Sequence, residues 1–249
     1  MRTAGFILAI VLTSLNLQAQ QVGDPEFDPT LQSPVYEKGT GPAVFIDEAH
    51  NNFHTLNGRY QPFAKLLQKD GYNLEAFKEE FTTTGLENAK ILVIANALHE
   101  SNIEDWILPN PSAFTKNEIA AVVDWVREGG SLFLIADHMP FPGAAADLAA
   151  AFGIDFNNGF AFDTTRQAND FFTREAKTLE ANNITNGRGG AEKIESLVSF
   201  AGQAFEIPEA AEPLLVLNSN FISSMPDTAW AFREDTPRIP VGGWSQVRL

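Results

Sequence analysis

"TKNEIAAVVDWVREGGSLFLIADH", Thr115 to His138, is the stretch whose reading decides the fold class. Thr115 and Glu118 have the T-x-x-E spacing of a capping box, in which each side chain satisfies a backbone N–H left unpaired by the first helical turn. Ile119, Val122, Val123 and Val126 then recur at helical spacing as one apolar stripe. Gly129 and Gly130 end the helix, and "SLFLIAD" follows at once as an apolar strand.

The same alternation extends outward. Upstream, "AVFID" (Ala43 to Asp47) reads as a buried strand, and "QPFAKLLQKDG" as a helix with Phe63, Leu66 and Leu67 on one face and Gly71 as its stop. "YNLEAF" and "AKILVIAN" are two further strands, separated from the capped helix by the loop "ALHESNIEDWILPNPSAF". Downstream, "FPGAAADLAAAFG" reads as a helix with Pro142 in its first turn and Gly153 at its C-terminal cap. Apolar strands alternating with helices are the pattern of a mostly parallel sheet covered on both faces, hence an α/β fold. The second half is less periodic: "IDFNNGFAFD" reads as strand, turn and strand, "ESLVSFAGQAFEI" and "EPLLVLNS" as two strands, and "DTAWAFRE" as another candidate. With no internal repeat or linker, residues 42–249 are expected to form a single α/β domain. The chain stops at "VGGWSQVRL" without a closing helix, as a product truncated at the C-terminus would.

Residues 1–19 read as a signal peptide: Arg2, then the short apolar run "GFILAIVLTSLNL", then "LQA" with cleavage after Ala19. A buried N-terminal helix is the weaker alternative, because residues 20–41 continue as an extended leader in which Pro25, Pro29 and Pro34 forbid a continuous helix. The expected location is therefore secreted or periplasmic, with no membrane insertion after cleavage. Cysteine is absent, which excludes disulfides, thiol nucleophiles and thiolate metal sites. The net charge of −15 makes nucleic acid and anionic membrane surfaces poor partners.

The four histidines fall in loops that follow strands: His50 and His54 after the first, His99 after the third, His138 after the fourth. Open parallel sheets bind ligands outside the carboxyl ends of their strands, so all four belong to the functional edge. Asp47 and Asp137 close their strands there, and Asn51 and Asn96 are polar helpers. One reading is a single polar site formed by Asp47, His50, Asn51, His54, Asn96, His99, Asp137 and His138. Within it His50, His54 and His138 could hold a divalent metal such as zinc, with Asp137 or Asp47 as a further ligand or general base. The alternative is that each histidine simply hydrogen-bonds a neighbouring loop and the aspartates tie down backbone. "HNNFH" lacks the glutamate of H-E-x-x-H, and no G-x-S-x-G elbow presents a serine. "GRGGAE" follows no strand and reads as a turn rather than a phosphate cradle. Trp106, Phe141, Phe160 and Trp244 are either core or the aromatic lining of a pocket.

"VFIDEAHNNFHTLNGRYQPFAKLLQKDGY", "ILVIANAL", "AFTKNEIAAVVDWVREGGSLFLIADHMPFPGAA" and "ITNGRGG", in this order, resemble uncharacterised secreted bacterial proteins of the class I glutamine amidotransferase-like superfamily, a group with relatives among gliding-motility and intraflagellar-transport domains. The resemblance spans Gly41 to about Leu217 and implies a flavodoxin-like three-layer sandwich. In true amidotransferases the nucleophilic cysteine occupies the turn that here holds Asp137 and His138, so thiol-based glutamine hydrolysis does not carry over. The resemblance implies binding of a carbohydrate or another small polar ligand at that edge. A metal-dependent hydrolase using the His/Asp cluster, and a non-catalytic assembly module with a protein partner, are the alternatives.

Overall fold

The structure, a computed structural model, describes residues 22–166 and 169–248. The expected signal peptide, residues 1–19, lies outside the described residues. Residues 22–41 contain no helix or strand and run beside the first helix, where Lys65 Nζ donates to the Pro25 carbonyl at 2.8 Å and Asp70 Oδ1 accepts the Val35 N–H at 2.8 Å.

The alternating half folds as its periodicity predicts, with one short helix that the pattern did not mark: β1 (Ala43–Asp47), α1 (Gln61–Lys69), β2 (Asn73–Phe77), the short α2 (Thr83–Leu86), β3 (Ile91–Ala95), α3 (Lys116–Arg127), β4 (Ser131–Ile135) and α4 (Phe141–Ala150). The four strands form one parallel sheet in the order β2-β1-β3-β4. The reciprocal capping box of Thr115 and Glu118 starts α3. At its other end Gly129 takes φ +100°, and a methyl on Gly130 would collide with the Trp125 indole. The glycine pair therefore both reverses the chain and lets the helix end close against the next strand.

Side chains divide cleanly between the two sheet faces. Phe45, Leu92, Ile94, Leu132 and Leu134 pack with Val122, Trp125 and Val126 of α3 and Ala145 and Leu148 of α4. Val44, Ile46, Val93 and Ile135 pack instead with Phe63 and Leu67 of α1. Each fully buried Leu or Ile contributes about 1.5–3 kcal/mol relative to leaving it in water. With helices against both faces, ligands can reach the sheet at its strand ends and along its edge strands.

The second half is antiparallel. Its elements are β5 (Asp155–Phe156), β6 (Phe160–Asp163), β7 (Asp170–Thr173), α5 (Asn183–Asn186), β8 (Ser196–Ser199), β9 (Phe205–Glu206), β10 (Pro213–Val216), β11 (Phe221–Ser224), β12 (Arg238–Pro240) and β13 (Ser245–Arg248). They form sheets β10-β13-β9-β5 and β12-β11-β6 and the two-stranded antiparallel sheet β7-β8. The two strands read in "IDFNNGFAFD" go to different sheets, and "ESLVSFAGQAFEI" is divided into β8 and β9. "DTAWAFRE" is not a strand: Thr228 bridges Ile107 and the chain then turns, with Trp230 at φ +66°. Short strands with few residues of alternation leave little periodic signal, which is why β7, β11, β12 and β13 were not legible.

Candidate functional site

The loop after β1 turns sharply at Asn51, φ +50°, a left-handed conformation that asparagine tolerates. This turn sends His50 inward. Its Nδ1 meets Asp47 Oδ1 at 2.9 Å and its Nε2 meets Glu118 Oε1 at 2.8 Å, with all three side chains buried. Asn52 Nδ2 donates to Asp47 Oδ2 at 2.9 Å. Burial alone would depress the His50 pKa, but the hydrogen bonds and charges of Asp47 and then Glu118 outweigh it and hold it above the ordinary value. Burial likewise pushes Glu118 up, against the N–H of Thr115, His50, the Thr115 hydroxyl and the Phe81 N–H, which together hold it low. Both nitrogens of His50 are thus committed to carboxylates. The cluster ties β1 to the start of α3 and leaves no ring nitrogen for a ligand.

A second centre lies where β3 and β4 end. Asn96, fully buried at φ +55°, accepts the Asp137 N–H at 2.9 Å through Oδ1 and donates to Asp137 Oδ2 at 2.7 Å through Nδ2. Its own carbonyl accepts the Phe53 N–H at 2.9 Å, which holds the histidine loop against it. His54 Nε2 then stands 3.7 Å from Asp137 Oδ2, and its ring stacks on Tyr60 with centroids 4.6 Å apart. Burial pushes the Asp137 pKa up, but His54 and Asn96 outweigh it and keep the carboxyl below its ordinary value. The Asp137 side chain remains 39 % exposed. His54 Nδ1 is buried without a hydrogen-bond partner. This half of the expected constellation comes together as an ionised carboxylate beside an imidazole.

The remaining histidines go elsewhere. His138 is buried among aromatics, stacked on Phe160 at 4.4 Å and edge-on to Trp230 at 4.6 Å, with Nδ1 on the Met139 carbonyl at 2.8 Å. Burial lowers its pKa and favours the neutral ring. His99 stands apart, caps the 3-10 turn Glu100–Asn102 and bonds Ser101 Oγ at 2.8 Å. Among the described residues no group of three or more His, Asp or Glu side chains is placed to hold a metal ion. The arrangement therefore does not fit a zinc ion shared by His50, His54 and His138. Phe141 and Phe160 are core, Trp244 packs on the core of the antiparallel half, and Trp106 lies edge-on to Phe53 and Phe141.

Asp137 and Tyr60 form one end of a cleft of ≈ 740 Å³ that runs along β4. Its walls include Phe133, Phe152 and Phe200, and Gln203 lies in it with Oε1 buried and unpartnered. Volume and apolar walls with a few polar groups match the usual character of ligand pockets. Tyr60, Gln203 and Trp230 were not among the sequence candidates, because nothing in their local pattern separates them from core or turn residues. Glu118 was legible only as a helix cap.

No family model matches the chain, and no curated protein matches it. Among solved structures it is similar to the mmIFT52 N-terminal domain, with TM-score 0.54 and 15% identity over 81% of this chain and 85% of that one. It also matches a putative ThuA-like protein from Bacteroides uniformis, with TM-score 0.41 and 16% identity over 90% of this chain and 82% of that one. The chain thus has a mixed α/β architecture, a four-stranded parallel sheet together with antiparallel sheets, and its overall fold is similar to that of the mmIFT52 N-terminal domain.

Proposed function

We propose that this chain is an exported ligand-binding domain of the class I glutamine amidotransferase-like, flavodoxin-like sandwich type, working without a thiol nucleophile. It takes a carbohydrate or another small polar ligand at the carboxyl edge of its parallel sheet. The observation that carries this reading is the Asp137 carboxylate, held ionised by His54 and Asn96, partly exposed, and lining a ≈ 740 Å³ cleft. A carboxylate with free lone pairs accepts hydroxyl donors strongly, and the Tyr60 ring that lines the same cleft offers apolar surface to a sugar face. No residue of this centre is an activated nucleophile, which favours binding over bond cleavage.

Isothermal titration of the purified chain against a panel of neutral and amino sugars tests it. At least one should bind, with affinity falling about tenfold or more in Asp137→Ala, as expected when a charge-assisted hydrogen bond is lost. A folded sample that binds none of them, or binds equally well without the carboxylate, would overturn the reading.

A further inference from the structure

The same cleft has a feature that a small polar ligand leaves unused. Strand β4 lies at the edge of the parallel sheet and, among the described residues, pairs only with β3. The Ser131 N–H bonds the Lys90 carbonyl and the Ile135 carbonyl accepts the Asn96 N–H, so residues 131, 133 and 135 turn their backbone groups toward β3. In a parallel ladder the alternate residues, Leu132 and Leu134, turn theirs outward. At the next outward position Gln203 Nε2 donates to the Ala136 carbonyl at 3.0 Å. A side-chain carboxamide there stands where a neighbouring strand's amide would stand, and its Oε1 has no partner.

Both sides of this edge are apolar. Tyr60, Phe63 and Phe133 wall one side, and Val126 and Phe152 the other, and Phe200 also lines the cleft. Phe133 is 47 % exposed and Phe200 62 % exposed. At the carboxyl end sits the Asp137 carboxylate, in a protein of net charge −15.

We propose that the cleft receives an extended peptide segment of a partner protein, which adds a fifth strand beside β4. Outward backbone groups at strand spacing, which pair with no backbone group among the described residues, call for a peptide, since an isolated apolar molecule would leave them unpaired. Apolar walls on both sides call for a continuous apolar run, of about five residues to match the five of β4. The ionised end calls for a flanking Lys or Arg. The proposal goes beyond the small-ligand reading: the two share Asp137, but only this one depends on Phe133 and on the outward edge of β4.

The test is to pan a phage-displayed library of random decapeptides against the full chain and against its Phe133→Lys variant. Phe133 is half-exposed, so the free protein should tolerate the charge; Phe200→Glu, at another exposed aromatic of the cleft lining, serves if it does not. The expected winners carry an apolar run beside Lys or Arg. A synthesised winner should bind the variant about tenfold or more weakly, and N-methylation at alternate residues should weaken it comparably. No enrichment over the variant, winners without a basic flank, or full binding after N-methylation would each overturn strand addition. A concentration-dependent dimer dispersed by Phe133→Lys would assign the edge to a second copy of the chain and overturn the peptide. Sugar binding that persists in Phe133→Lys while peptide binding is lost separates this proposal from the preceding one.

Discussion

Asn96 holds Asp137 at both ends, taking its backbone N–H at 2.9 Å and returning a side-chain N–H to its carboxylate at 2.7 Å. One buried amide, itself in a left-handed conformation, thereby fixes both the backbone and the rotamer of the acid at the end of β4. The acid cannot swing away from the cleft without leaving the amide unpaired.

This relationship yields a paired comparison. Asn96→Ala removes both hydrogen bonds and keeps a side chain at φ +55°, so it should cost about 2–4 kcal/mol. Asn96→Gly loses the same bonds but fits the left-handed backbone, and should cost roughly 1 kcal/mol less. Urea unfolding of both variants measures the difference. Equal losses would mean that the conformation carries no cost here.

The buried His50 predicts a pH dependence of stability. Its folded pKa lies above its ordinary value of 6.5, so the folded state binds the proton more tightly than the unfolded chain does. That contribution is fully present below the unfolded value and is lost as pH rises through the folded one. The stability difference between the native chain and His50→Gln should therefore shrink from mildly acidic to alkaline pH. A difference that is constant across this range would contradict the charged, doubly paired imidazole.

Removing Glu118 should hurt more than an ordinary cap. Glu118→Ala takes away the acceptor for the Thr115 N–H, the Phe81 N–H and His50 together, and leaves the imidazolium with one carboxylate. A loss of about 3–5 kcal/mol is expected, against about 1 kcal/mol for a cap alone. Chemical denaturation decides between the two magnitudes, and the smaller loss would mean that the His50 pair adds nothing.

The two adjacent glycines should respond differently to the same methyl. Gly129→Ala meets open space but keeps φ at +100°, a backbone strain of about 1 kcal/mol. Gly130→Ala drives a methyl into the Trp125 indole and should cost about 1–3 kcal/mol, with altered Trp fluorescence. A fluorescence change in Gly129→Ala alone would reverse this assignment.

Much of the first half was readable because its signals are local. The capping box of Thr115 and Glu118, the stripe on α3 and the apolar strands report burial within a few residues, and burial repeats at 3.6 or 2 residues. Strand order was enough to send the loops of His50, His54, His99 and His138 toward one edge. The sequence by itself thus determined the parallel α/β half, the lack of a thiol and the segments in which a site could form.

Only the tertiary structure decided what each of those side chains does. His50 is sealed by Glu118, 68 residues away in sequence, while Asp137 is set by Asn96 at a separation of 41. His138 is buried under Phe160 and Trp230, and His99 is left to cap a turn. Such pairings depend on which surfaces meet when the sheet closes on its helices, and local periodicity records that a residue is buried but not what it is buried against.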